Sequence, residues 1–306
     1  MALTINTNSA AVTASYNLSQ NNLALQKSLS RLSSGKRIVT TSDDAGGLAV
    51  SMKLNASVSR LNGISKNIQN AISYLDVQDG VLQGSSNILT RMAELKALSQ
   101  DVLKNSSDIA NYNSEFKSLQ TQLFQISKET FNGISLFATT STDGSSAVFG
   151  DALKDHTISM YTTQNGAAGS IVSISKALLL SAITFDSSDV STSKAYGAAS
   201  STTFAASLAS TAGMLSSFTV SFFTKAIENV ATLRAENGAT VSRLQFAHEH
   251  ATRTRSSLEA ANGRIMDVDI ATESTRLAKY NILVQASAAM LSQANSTPNA
   301  ALMLLG

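Results

Sequence analysis

The sequence predicts a mainly α protein: a long antiparallel helical rod, or coiled-coil bundle, formed by both termini, with a small β-rich or mixed central insert. Three observations predict it. The two ends are apolar heptads with almost no charge: Lys27 is the only charged residue in 1–30, and none follows Lys279. Apolar positions recur at steps of three and four over most of the chain outside 139–225. Proline occurs once, at Pro298, which suits long uninterrupted helices. Chain ends normally fray and are polar. Two apolar ends must therefore be buried against each other, against other copies or against a partner.

The first helix is expected over Ser9–Leu32. Its seam is read at Ala11, Ser15, Leu18, Asn22, Leu25, Leu29 and Leu32, and Ser34-Gly35 supplies the left-handed stop. The second starts near Thr41-Ser42, with Asp43 and Asp44 as first-turn carboxylates and a capping-box spacing from Thr41 to Asp44. Leu54, Leu61, Ile64, Ile68, Ala71, Leu75 and Leu82 carry it toward Val102. A helix of roughly 55 residues spans about 80 Å, longer than an ordinary globular core uses. A third helix follows from Asp108 through Tyr112, Phe116, Leu119, Leu123 and Ile126. Asn132-Gly133, between Phe131 and Ile134, is a two-residue hairpin signal.

From 139 to 224 more than a third of the residues are Ser or Thr. Short alternating runs at 157–161 and 170–175 read as strands, and 204–223 is apolar enough to be ordered. A fourth helix is expected over Ala226–Ala261. Ile227, Val230, Val241, Leu244, Ala251, Leu258 and Ile265 share its frame, but so do Arg234, Asn237, His248, Arg255 and Asn262, which leaves the seam imperfect. The last helix is expected over Asp269–Asn295, with Leu277, Tyr280, Val284, Ser287, Leu291 and Ala294 on its seam and Pro298 as its stop. The chain goes out and returns, so the long helices pair antiparallel.

Composition narrows the function. A net charge of +2 gives no basic field for nucleic acid. Without cysteine there is no disulfide, thiolate metal site or cysteine nucleophile. The first residues have neither the cationic nor the apolar region of a secretory signal, and no apolar run is long enough to span a membrane. Candidate chemistry reduces to structure on inspection. Asp43-Asp44 reads as cap chemistry. His248-Glu249-His250 puts its histidines two apart, on different sides of a helix, whereas a zinc-protease pattern needs i and i+4. Gly35-Lys36 lacks the first glycine and the Ser/Thr ligand of a phosphate loop.

Ser30-Arg31-Leu32-Ser33-Ser34-Gly35-Lys36-Arg37-Ile38, then Asp43-Asp44-Ala45-Gly46-Gly47-Leu48-Ala49, resembles the N-terminal signature of bacterial flagellins. Phe131-Asn132-Gly133 is similar to their turn. Arg264-Ile265-Met266-Asp267-Val268-Asp269-Ile270-Ala271-x-Glu273, Ile282-Leu283-x-Gln285, Met290-Leu291-x-Gln293-Ala294-Asn295 and Leu302-x-Leu304-Leu305 resemble their C-terminal signature. The resemblance covers about 1–138 and 226–306.

It implies a non-enzymatic filament subunit without cofactor or metal. Residues 1–42 and 266–306 would form the inner coiled-coil core. Residues 43–138 and 226–265, with a hairpin near 131–138, would form a helical outer core, and 139–225 a variable exposed insert. Filament-core packing would fall to Leu18, Leu25, Leu29, Leu32, Leu277, Tyr280, Val284, Leu291, Leu302 and Leu305, with Gln285 and Gln293 facing a lumen. Arg91, Glu94, Leu95 and Glu115 match positions that contact Toll-like receptor 5 in some flagellins, or a neighbouring subunit; Lys96 and Leu98 depart from the usual Ala and Gln there. The implied partners are other copies, the flagellar type III export apparatus, a flagellin chaperone and the filament cap, and the implied location is the extracellular filament. The ends are expected to be disordered in the free subunit and to fold on assembly. A hook–filament junction protein, a flagellin with an enzymatic insert and a cytoplasmic coiled-coil adaptor are the alternative readings.

Overall fold

The structure, a computed structural model, describes residues 8–151 and 156–304, and of 297–304 the backbone alone. Among the described residues six α-helices dominate: α1 (Ser9–Ser34), α2 (Ala45–Leu98), α3 (Ser106–Ile126), the short α4 (Leu179–Ala182), α5 (Val220–Met266) and α6 (Ile270–Leu304). Three two-stranded antiparallel sheets accompany them: β1 (Thr130–Phe131) with β2 (Ile134–Ser135), β3 (Thr157–Tyr161) with β4 (Ile171–Ser175), and β5 (Phe185–Asp186) with β6 (Ser201–Thr202). The mainly α architecture with a strand-containing centre is the one the sequence predicts. The chain divides into two compact units, 1–59 with 254–306, and 60–253.

Polar caps set the helix starts. Asn8 Oδ1 accepts from Ala11 N at 3.0 Å and Asp44 Oδ1 from Gly47 N at 2.8 Å. Asn105 and Asp108 form a reciprocal capping box. Thr219 Oγ1 accepts from Phe222 N, and Asp269 Oδ1 from Ala271 N and Thr272 N. Each satisfies amides that the first turn leaves unpaired.

Several boundaries differ from expectation, among them the end of α5, at Met266 rather than Ala261. α2 starts at Ala45, so Asp44 is its cap and Asp43 is free for another role. It stops at Leu98 rather than near Val102, because Asp101 closes a turn onto Leu103 N and Asn105 restarts the helix. α5 begins six residues before Ala226, at the Thr219 cap. α6 continues through Pro298 to Leu304. Proline removes one amide and disfavours a helix without forbidding it.

In the unit 60–253, α2 and α5 run antiparallel. Asn237 Nδ2 donates to Leu75 O at 2.8 Å, Arg234 pairs with Asp79 at 2.9 Å, and Ser65 Oγ lies 2.9 Å from His248 Nε2. Arg234, Asn237 and His248, which spoil the apolar seam of α5, are thus residues that meet α2, whereas Arg255 pairs with Glu259 along α5 itself. Leu75, Leu82, Leu89, Met92 and Leu95 of α2, Phe116 and Leu123 of α3, and Phe222, Phe223 and Val230 of α5 are buried in one core. Residues of the insert complete it. Phe204 is fully buried, with its ring centroid 4.9–5.8 Å from Phe116, Phe218, Phe222 and Phe223.

Lys96 lies in the same unit. Its buried Nζ donates to Leu215 O at 3.1 Å, while Leu215 N donates to Asn113 Oδ1 at 2.9 Å. Lys96, one of the two departures from the resemblance, therefore clasps the insert to α2. The structure gives no reason for Leu98. Asn132 (φ 50°) and Gly133 (φ 80°) make the hairpin turn between β1 and β2, both in the left-handed region that Asn-Gly tolerates. Tyr74 Oη and Gln78 Nε2 tie this hairpin to α2 through the carbonyls of Ser135 and Leu136.

Candidate assembly surface

The unit formed by 1–59 and 254–306 pairs α1 with α6. Three side chains fix the pairing as antiparallel: Asn8 Nδ2 to Ala294 O at 2.8 Å, Asn21 Nδ2 to Ser287 Oγ at 2.8 Å, and Ser28 Oγ to Glu273 Oε1 at 2.6 Å. Leu18, Leu25, Leu32, Leu277, Tyr280, Val284 and Leu291 are half-buried.

The seam of α1 differs from the sequence reading at every second position. Ala14, Asn21 and Ser28 turn inward, and Ser15, Asn22 and Leu29 turn out. Leu29 is 58% exposed. Apolarity favours Leu29 for a seam, but Asn21 and Ser28 have hydrogen-bond partners on α6, and burying them unpaired would cost more than exposing one leucine. Gln285 and Gln293 are exposed on α6. The Leu302 side chain and Leu305 lie outside the described residues.

The turn after α1 clips this pair to the end of α5. Gly35, left-handed at φ 68°, ends α1. Arg37 N donates to Met266 O at 2.6 Å, Val268 N to Gly35 O at 3.1 Å, and the Arg37 guanidinium to Ile265 O at 2.8 Å. Asp43 closes the loop. Its carboxylate takes Lys27 Nζ at 2.5 Å and the amides of Val39 and Thr40, with Arg31 at 3.7 Å. Ser51, Asn55 and Asn262 form a further polar contact between α2 and α5, with Ser51 Oγ 2.6 Å from Asn262 Oδ1. Glu273 is buried with Ser28 and reached by Arg276 at 3.4 Å. This buried acceptor is the role of a signature glutamate that the sequence did not explain.

The Lys27 hydrogen bond, then the Val39 amide, hold the Asp43 carboxyl well below the usual carboxylate range. A depressed folded-state pKa stabilises the fold above the unfolded value of about 3.9, and that stability is lost as pH falls further toward the folded value. Below about pH 4 the thermal stability of assembled protein should drop. Asp43→Asn should be less stable at pH 7 and flatter between pH 4 and 2. Parallel melting curves for the two chains over that interval would contradict the assignment. Asp269, lowered by its Thr272 hydroxyl and amide contacts, is present in both chains and cancels in the comparison.

Burial in this unit is sparse. Among the described residues its buried side chains are Ser28, Ile38, Ser51 and Glu273, and of these Ile38 alone is apolar. Large apolar side chains face outward instead: Val12 is 69% exposed, Tyr16 63%, Ile282 65% and Met290 67%, with Leu23 and Met52 similarly bare. Val12, Tyr16 and Leu23, spaced by four and seven, lie on one face of α1.

In the other unit, Arg91 bridges Glu94 at 3.2 Å and Glu115 at 2.9 Å on an exposed face of α2 and α3. Leu95 is not with them. It faces the core, fully buried, because it continues the inward Leu82–Leu89 row, and it offers no surface to a partner. His248 faces Ser65 and Gln69, while Glu249 pairs with Arg253. No group of three or more metal-binding side chains occurs among the described residues, and no described helix is long and apolar enough to cross a membrane.

Two family models match the chain: the bacterial flagellin N-terminal helical region over residues 5–142 and the bacterial flagellin C-terminal helical region over 220–305. Flagellin of Bacillus subtilis (strain 168) is 33% identical over 312 residues, covering 98% of this chain and 99% of that protein. Flagellin of Halalkalibacterium halodurans is 32% identical over 302 residues, with the same coverage. The flagellar filament 33 kDa core protein of Treponema phagedenis is 29% identical over 311 residues, again at 98% and 99%. These alignments run through the insert, which the family models leave out. Paired terminal helices with an uncovered apolar surface, matched at both ends and over nearly full length, make this chain a member of the bacterial flagellin family and a structural subunit of the flagellar filament.

Proposed function

We propose that the subunit polymerises by burying the bare apolar faces of α1 and α6 against other copies. One surface meets a different surface on the next copy, so the array stays open and grows as a filament. The observation that carries this is the sparse interior of the terminal unit: one buried apolar side chain among the described residues, beside several large exposed ones. Each large apolar side chain covered contributes about 1.5–3 kcal/mol, against about 1–2 kcal/mol of backbone entropy per ordered residue. Neighbours therefore supply the burial that a lone subunit lacks.

In this reading 1–42 and 266–306 form the inner core, with Gln285 and Gln293 toward a lumen through which further chains pass. Residues 43–138 and 226–265 form the outer core, and 139–225 face outward. The Ser/Thr-rich composition of the insert supports its exposure. The chain does no catalysis, travels through the type III export apparatus with a chaperone, is added beneath the filament cap and resides outside the cell. Arg91, Glu94 and Glu115 form a paired, exposed patch suited to contact with a neighbouring subunit or with Toll-like receptor 5.

Hydrogen exchange tests the central claim. Amides of 9–34 and 270–304 should exchange rapidly in free subunit and become protected on polymerisation, whereas the α2–α3–α5 core of 60–253 should be protected in both. Terminal amides already protected in the free subunit would overturn it. Polymerisation of the purified chain alone separates a filament subunit from a junction protein.

A further inference from the structure

α6 continues through Pro298, a residue with no amide hydrogen. In an α-helix each amide donates to the carbonyl four residues earlier, so this proline leaves the Ala294 carbonyl without its helical donor. The donor it takes comes from the other end of the sequence, Asn8 Nδ2, at 2.8 Å. The oxygen of the same side-chain amide accepts from Ala11 N at 3.0 Å and caps α1. One planar amide thus serves an unpaired donor on one helix and an unpaired acceptor on the other.

We propose that Asn8 sets the register of the terminal helix pair and that Pro298 makes its partner unique. Apolar heptads specify a face but not an alignment, since a slip of seven residues again opposes apolar positions; a polar contact breaks that degeneracy. A slip that brings Asn8 to Ser287 would set it against a carbonyl already served by the amide four residues on. Ahead of the last turn of α6, it is Ala294, vacated by Pro298, that needs an outside donor. Of the other two polar contacts, Asn21–Ser287 joins movable side chains, and Ser28 Oγ sits closer to the Glu273 carboxylate, at 2.6 Å, than to its carbonyl, at 3.4 Å; the Ala294 acceptor is fixed in the backbone. Because the apolar stripes are covered only in the filament, this alignment decides which faces the pair presents to the next copy.

The proposal rests on the pairing of α1 with α6 in the assembled filament. Its test is the critical concentration for polymerisation of four full-length chains: wild type, Asn8→Ser, Pro298→Ala and the double variant. Polymerisation of wild type supplies the reference and tests the assembly reading separately. Serine keeps a cap acceptor but is too short to donate to Ala294. Asn8→Ser should raise the critical concentration by about two- to tenfold, the range of one hydrogen bond. In the Pro298→Ala background the same change should have less than about a twofold effect, because the restored amide at 298 serves Ala294 from within the helix. Equal effects in both backgrounds, or none in the first, overturn the proposal.

If Asn8→Ser does not polymerise at all, recovery of filaments by Pro298→Ala supports it and failure to recover overturns it. If Pro298→Ala alone does not polymerise, Asn8→Asp takes its place, keeping the acceptor and unable to donate. A loss like that of serine supports the donor role, and wild-type behaviour overturns it.

Discussion

Ile282→Lys is expected to abolish filament formation while leaving the free subunit's melting unchanged. Ile282 is two-thirds exposed on α6 and belongs to no buried cluster, so a surface substitution there should shift subunit stability by no more than about 0.5 kcal/mol. In the assembled state the same position would lose about 2 kcal/mol of apolar burial and place an unpaired ammonium against apolar neighbours, at a cost of further kcal/mol. A total near 3 kcal/mol raises the critical concentration by about a hundredfold or more. Sedimentation and electron microscopy at fixed concentration, with melting of the free subunit as control, provide the check. Normal filaments from the variant would show that this stripe is not an intersubunit face.

Phe204→Ala is expected to destabilise the unit 60–253 by about 3–5 kcal/mol, as large-to-small changes at fully buried aromatic positions do. Phe204 lies among Phe116 of α3, Phe222 and Phe223 of α5, and Phe218 just before α5. Its removal leaves a void that four rings cannot all relax to fill, and favourable edge-to-face contacts are lost as well. The midpoint of denaturant unfolding of the free subunit measures this. Phe204→Leu should cost clearly less. A midpoint shift below about 1 kcal/mol equivalent for the alanine variant would mean that the insert does not share the helical core.

Both predictions show where reading the sequence stops. Ile282 was visible as an apolar residue outside the seam that runs from Leu277 to Ala294. Phe204 was visible only as part of an apolar stretch in the insert, because nothing local says that its ring joins Phe116 and Phe222. On α1 the apolar pattern favoured Leu29 for the seam, yet Ser28 takes the inward place. Its hydroxyl meets Glu273, a residue 245 positions away. Arg234, Asn237, His248 and Asn262 looked like faults in the α5 heptad and proved to be its contacts with α2, within one unit or the other. Asp43 looked like one of two cap carboxylates, but Asp44 caps α2 and Asp43 binds Lys27. Pro298 looked like a stop, and α6 passes through it.

By itself the sequence determined the long helices, the Asn-Gly hairpin, the charge-free termini and their need for burial, because periodicity, cap chemistry and composition act over a few neighbouring residues. Only the tertiary structure decided which polar side chains sit inside the seams, which insert residues complete the core, and how α1 is aligned on α6. Those choices depend on partners distant in the sequence, 286 residues apart for Asn8 and Ala294, and a heptad names the face that is buried without naming what covers it.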